Sequence, residues 1–420
     1  MMKALFFLRH YNDVDHITPV ITRWIESGNT CDVVLIGFDR FQHDYRIAHL
    51  SQYASVRLAH IRDVISGPLY LAWRLQMVPV LNTFHRSSLK ASVEVVNKLW
   101  PKRRREALWR RVSRQLLDRT FGHDGRGVIA FDWVERNTTI ATEWIEILLT
   151  MARARGLSTV SLPHGDSPHA NRLIRRNERR PGPDPVFSAA AMFDKVVVPN
   201  ELCATRFRPF MKHEDVVVLG SPRYCDEWLT RLADITPPSP LVRDDSRFKM
   251  VLFLRKATFT TFWEEVGIVI HMLADFPDLE LVIKPHTRGG WQQRLTWDRS
   301  IRRRANVRIA DSNLHSPHLI DWADAIMDVA TSVSFEAVKL NKPVLAADYL
   351  HAGRSVVADY MPETALNCRD DVYYKTEALL RNGGKNFYNT ANRQRFIHEI
   401  IDQGKPDILL RYVQFLSRET

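Results

Sequence analysis

Three short segments that each follow an apolar run carry the histidines and carboxylates able to move a proton. The first is Pro163-His164-Gly165-Asp166, directly after Ser158–Leu162. Its glycine lets the chain turn sharply and leaves the imidazole accessible, and an imidazole titrating near neutrality could take a proton from a hydroxyl. The second is Arg9-His10-Tyr11-Asn12-Asp13-Val14-Asp15-His16, after Ala4–Leu8. The third is Asp132, after Gly127–Phe131. Asp13, Asp15 and Asp132 could equally cap helices, whereas His164 has no such structural role. His164 therefore leads the acid–base candidates, followed by Asp15 and Asp166. A metal held by Asp13, Asp15 and His16 would lack a second ligand cluster. The expectation is chemistry with no metal and no cofactor.

A different chemistry is suggested by Asp324–Asp348, which reads as strand, hydroxyl-rich turn, helix and strand. Thr331, Ser332 and Ser334 stand where a helix would begin, and free backbone N–H groups with the positive end of the helix dipole attract anions there. Glu336, one turn on, could accept hydrogen bonds from the vicinal diol of a ribose. Phosphate plus ribose means a nucleotide. Such units are common in α/β proteins that bind nothing at that turn, so the neighbours matter. Arg255 and Lys256 follow Met250–Leu254, and Lys284-Pro285-His286 follows Leu279–Ile283. At adjacent strand ends they would surround a pyrophosphate, Arg through its forked donors and Lys as a point charge. Neither G-x-x-x-x-G-K-[ST] nor G-x-G-x-x-G occurs, so a P-loop and a dinucleotide fingerprint are unsupported.

The elements that must position these groups are legible as short apolar runs between helical patterns. Besides those named, Asp32–Ile36, Lys195–Val198, Val216–Leu219, Asn306–Ile309, Ala325–Met327 and Pro343–Ala347 read as strands. Continuous apolar strands separated by helices predict parallel sheets buried on both faces. A proline-rich polar break, Ile235–Arg247, divides the chain. The expected architecture is α/β, two doubly wound Rossmann-like parallel-sheet domains facing across a cleft: residues 1–235, a linker at 236–247, and 248–400. Residues 401–420 form a final helix that would pack back on the first domain. A chain of 420 residues suits two cores.

Lys and Arg exceed Asp and Glu by 59 to 48, a formal charge of +11. This suits an anionic substrate, an acidic membrane face or nucleic acid, though no nucleic-acid motif is present and no nucleic-acid partner is expected. The four cysteines are scattered without a C-x-x-C, which fits a reducing cytoplasm and argues against a disulfide framework. Ala4–Leu8 is too short to span a membrane. Leu99–Arg119 aligns Leu108, Trp109, Val112 and Leu116 on one face and crowds arginines on the other. It reads equally as a helix lying on an anionic bilayer and as a surface helix with a docked stripe. Arg175–Pro185 reads as a basic loop that could close over an anion.

Gly220-Ser221-Pro222-Arg223-Tyr224, Lys284-Pro285-His286 and the stretch from Asp328 to Val344 resemble GT-B-fold glycosyltransferases. The nearest likeness is to the bacterial surface-polysaccharide branch that includes CDP-glycerol glycerophosphotransferases. The resemblance implies a donor nucleotide in the C-terminal domain, with Glu336 on the ribose, Thr331, Ser332 and Ser334 at the phosphates, and His164 as base. Asp328 stands where retaining relatives carry a glutamate, and His164 lacks the tryptophan and threonine of the glycerophosphotransferases. What it implies is a transferase moving a sugar from a nucleotide-activated donor to a glycan or lipid-linked acceptor; the basic helix 99–119 would hold such an enzyme near the inner membrane face. Two alternatives are a non-hydrolysing nucleotide-sugar epimerase, which needs no acceptor, and a non-catalytic basic binding module.

Overall fold

The computed structural model describes residues 2–36, 44–81, 99–122, 125–134, 136, 139–165, 183–244, 246–255, 261–286, 300–311, 314–353 and 355–419. They form two compact units. The first comprises Met1–Asp166, Gly182–Arg231 and Lys405–Thr420, and Leu232–Gly404 make up the body of the second.

The first unit is built on seven parallel strands: β1 Lys3–Leu8, β2 Thr30–Leu35, β3 Val56–His60, β4 Val128–Asp132, β5 Ser158–Leu162, β6 Lys195–Val198 and β7 Val216–Val218. Their order is β3-β2-β1-β4-β5-β6-β7, so β1 is an inner strand and the order in which strands are added reverses between β1 and β4. Ligands of doubly wound sheets bind at such a switch point, beyond the carboxyl ends of the strands. The inner strands are largely buried, and aromatic packing covers them: Phe7 stacks on Phe131 at 4.1 Å, with Trp144 set edge-on to Phe7 at 6.3 Å. Four helices matter here: α1 Tyr11–Glu26, α2 Gly67–Leu81, α3 Lys102–Phe121 and α4 Thr139–Arg153. Trp73 of α2, Trp109 of α3 and Trp144 of α4 are fully buried in one core. Each buried aromatic of this kind contributes roughly 2–3 kcal/mol.

The stripe expected on α3 is thus used inside the protein. Leu108, Trp109, Val112 and Leu116 are buried, and Trp109 Nε1 donates to Glu143 Oε2 at 3.2 Å. The picture of this tryptophan lying in a bilayer is corrected. No helix among the described residues is long and apolar enough to cross a membrane. The final helix, α8 Ile408–Arg418, belongs to this unit; Tyr412 Oη donates to Gly220 O and Arg411 Nη1 to Leu219 O, both at 2.9 Å.

The second unit carries five parallel strands in the order β10-β9-β8-β11-β12. These are β8 Phe248–Phe253, β9 Leu279–Lys284, β10 Val307–Ile309, β11 Ala325–Asp328 and β12 Val344–Ala346. Phe253 pairs with Lys284 on one side and Asp328 on the other. The parallel register therefore delivers Lys284 and Asp328 to the same level of the sheet's carboxyl edge. The helices used here are α5 Trp263–Ala274, packed beside β9, α6 Val333–Lys339 and α7 Arg369–Asn382. The strand that apolar runs did not reveal is β3, an edge strand whose residues are half-buried, with Arg57 exposed. An edge strand packs on fewer neighbours and need not be continuously apolar.

Candidate functional site

The first unit gathers its charges where β1, β4 and β5 end. Arg9 leaves β1, Asp132 closes β4 and His164 follows β5. Asp13 lies in the first turn of α1, where its Oδ2 accepts from Arg9 N at 2.6 Å and His10 N at 2.9 Å. The helix start thereby fixes this carboxylate, and its other oxygen, Oδ1, lies 3.1 Å from His164 Nδ1. The same Nδ1 is 2.8 Å from Asp132 Oδ2. Arg9 Nε donates to Asp132 Oδ1 at 2.6 Å and Arg9 Nη2 to Trp133 O at 3.1 Å. Asn12 Nδ2 sits 3.2 Å from His164 Nε2.

Two carboxylates are balanced here by an arginine and, once protonated, a histidine. Asp13 and Asp132 are wholly buried, whereas the His164 side chain keeps 22 % of its surface and Arg9 13 %. Only the cationic members can touch a ligand. Burial alone would lower the His164 pKa, but hydrogen bonds and charges from Asp13 and Asp132 push it up to about 9. The two carboxylates thus favour the protonated ring. Burial, joined by the Asp132 charge, raises Asp13 to about 6. Burial would raise Asp132 too, yet Arg9 and His164 hold it well below the usual carboxylate range. Asp13, Asp132 and His164 place ligand-type atoms within 4.8 Å of one another. The charge balance struck by Arg9 and His164 makes this a hydrogen-bonded cluster as it stands.

Asp15 is set apart from this cluster. It pairs with Arg46 and, at 3.1 Å, with Arg223 Nη1. His16 is buried, and burial with the charges of Arg223 and His164 holds its pKa well below normal. The trio Asp13, Asp15 and His16 is thus not brought to one point. Arg223, from the Gly220–Tyr224 segment, stacks 5.0 Å over the Tyr224 ring. Asp166, Lys256 and residues 175–182 of the basic loop lie outside the described residues.

In the second unit the strand-end groups come together as β8, β9 and β11 are neighbours. Arg255 is 3 % exposed, and its pKa falls to about 10 through burial, partly offset by Asp328. Lys284 Nζ donates to Asp311 O at 2.9 Å, and burial lowers its pKa. His286 is half-buried two residues further on. Asp328 is the organiser of the turn: its carboxylate accepts from Thr331 N at 2.9 Å and Thr331 Oγ1 at 2.6 Å. Burial raises its pKa to about 6. Ser334 Oγ donates to Thr331 O at 2.7 Å. The hydroxyls of Thr331 and Ser334 thus tie the turn to itself; Ser332 is half-buried and Glu336 is buried on α6. Ala330 takes φ 50 in this turn, a left-handed conformation costly for a residue with a Cβ. In the sequence Asp13 and Asp132 read as proton-moving carboxylates or as helix caps; their convergence on His164 brings Asp13 to a residue 151 positions away.

No protein-family model and no curated relative matches this sequence. Solved structures of similar length do match the fold. A UDP-GlcNAc 2-epimerase from Neisseria meningitidis bound to UDP-GlcNAc aligns with a TM-score of 0.59 and 13 % identity, covering 99 % of this chain and 100 % of that one. A UDP-N-acetylglucosamine 2-epimerase from Rickettsia bellii gives 0.56 and 12 %, covering 100 % and 98 %. The glycotransferase of kitacinnamycin gives 0.55 and 11 %, covering 100 % and 98 %. These matches correct the expectation of a glycosyltransferase serving a surface glycan, because UDP-GlcNAc 2-epimerases stand foremost among them. They lend no support to the narrower glycerophosphotransferase-like group. What they share with this chain is its architecture: two parallel-sheet α/β units of the GT-B fold.

Proposed function

We propose that this protein is a nucleotide-sugar epimerase that acts on its substrate without a separate acceptor, inverting the ring carbon beside the anomeric centre of a UDP-sugar such as UDP-GlcNAc. The observation that carries the proposal is the Arg9–Asp13–Asp132–His164 cluster. It sits at the switch point of a sheet in a fold that UDP-GlcNAc 2-epimerases share at near-equal length.

Inversion at that carbon needs a proton to leave on one face and return on the other. A hydrogen on this carbon is not acidic in the ground state. It becomes acidic as the bond from the anomeric carbon to the phosphate oxygen breaks. The proton passes to a base on that face, the C–H pair of electrons forms the carbon–carbon double bond, and UDP departs with the electron pair of the broken C–O bond. Reversal with the proton delivered to the opposite face gives the epimer, and the electron count is unchanged. His164 suits one of the two proton positions. It is the partly exposed proton carrier of the cluster, and two buried carboxylates stabilise its charged form. Arg9 keeps Asp132 ionised and presents a cation beside it. In the second unit, Arg255, Lys284 and the Asp328–Glu336 turn are the groups suited to the nucleotide, with Lys256 and His286 adjoining them in sequence.

The test is to incubate the protein with UDP-GlcNAc alone in deuterated water and follow the sugar by proton NMR. Formation of the epimer with one deuterium at the inverted carbon, lost in His164→Gln, is the expected result. UDP binding with neither epimer nor deuterium incorporation would end this reading.

A further inference from the structure

Beyond that reaction, the structure leaves one surface of the first unit chemically unusual. Helices α2 and α3 pack side by side, and Ser66 N donates to Gln115 Oε1 at 3.0 Å where α2 begins. They bury Trp73, Met77, Leu108, Trp109 and Val112 in the same core, so their opposite faces look outward from the same side of the sheet. On α3 that outer face carries Arg103, Arg104, Arg110, Arg111 and Arg114, all exposed. None of these five forms an ion pair with a described residue, whereas Arg105 on the inner flank is held by Glu143 at 2.6 Å. On α2 the outer face carries Leu71 and Leu75, one turn apart, 60 % and 54 % exposed. No acidic residue occurs between Gly67 and Leu81.

We infer that this α2–α3 face docks on a lipid bilayer rich in anionic headgroups. The arginines match the surface charge of such a bilayer, and the two leucines, on the adjacent helix, are placed to enter the acyl boundary. The combination selects this occupant. A polyanion such as a nucleic acid has no use for two bare leucines at helical spacing. A second copy of the chain meeting this face symmetrically would oppose ten arginines without counter-charge. The tryptophan takes no part in this docking, because it is buried. The contact is made by a prefolded basic ridge with a leucine pair beside it.

Flotation of the full chain with phosphatidylcholine vesicles, with and without about one third phosphatidylglycerol, tests the inference. Wild type should float only with the anionic vesicles and be released by 0.5 M salt. Each arginine near a charged bilayer is worth roughly a fivefold change in partitioning. Arg103→Glu, Arg104→Glu, Arg110→Glu and Arg111→Glu together should therefore lower it by at least ~100-fold. Leu71→Gln with Leu75→Gln should lower it by about tenfold at unchanged charge. All these side chains are exposed, and circular dichroism and melting temperature should match wild type. Failure of wild type to float would overturn the inference, as would flotation unaffected by the arginine variant. So would a dimer in sedimentation that the leucine variant dissociates, or binding to duplex DNA but not to vesicles.

Discussion

The two units use the carboxyl edge of a parallel sheet in different ways. In the first, charge is met by charge: Asp13 and Asp132 lie buried against Arg9 and His164, and two of these groups titrate within reach of neutrality. In the second, the backbone does the organising. Asp328 gathers the Thr331 amide and hydroxyl, Ser334 closes the turn, and Ala330 is bent into a left-handed conformation to let them meet. The first arrangement is suited to moving a proton and the second to holding a shape. The same architecture supports both because strand ends fix where side chains stand, while the loops that follow decide what those side chains meet.

Removing the proton-carrying group should separate the units most sharply. His164→Gln keeps a hydrogen-bonding side chain but no titrating ring, and epimerisation of UDP-GlcNAc should fall by about 10²–10⁴-fold. UDP affinity, read by calorimetry, should stay within about threefold. Retained turnover would reduce the cluster to a structural role. The same group also sets a pH dependence. His164 has its folded pKa raised to about 9 from an ordinary value of 6.5. Its contribution to stability is therefore complete below pH 6.5 and is lost as pH rises through about 9. The melting temperature of wild type should drop over that window, and that of His164→Gln should be flatter. Parallel curves for the two proteins would contradict the charge balance drawn here.

The second unit should answer in binding. Arg255→Met removes a buried cation at the end of β8, and UDP affinity should weaken at least tenfold, about 1.4 kcal/mol, with Glu336→Ala acting in the same direction. A thermal-shift titration with UDP measures both, and an unshifted affinity would move the nucleotide away from this turn. The smallest effect is expected at Ala330. Replacing it with glycine relieves the left-handed conformation and should stabilise this unit by about 0.5–1 kcal/mol. A scanning-calorimetry transition that moves down instead would show that the turn tolerates the Cβ without strain.

Much of the scaffold was written in composition along the chain. Ser158–Leu162 and Lys195–Val198 coincide with β5 and β6, because a strand covered on both faces leaves a short run of small, β-branched and apolar residues. β3 escaped, since an edge strand can alternate. Site residues were legible as types at strand ends, and their partners were not. Asp13 and Asp15 are two positions apart on α1, about 200° around the helix. One therefore turns to His164 and the other to Arg46 and Arg223. Nothing local distinguishes them. The pKa of His164 likewise depends on carboxylates far away in the chain, and the fate of the α3 stripe depended on the core formed with α2 and α4. By itself the sequence determined two parallel sheets and the residue types at their carboxyl edges, because burial on both faces leaves a pattern readable one segment at a time. Only the tertiary structure decided which charges meet, which face of α3 is spent on the core and which way a proton rests, because those depend on distances between segments that local patterning does not encode.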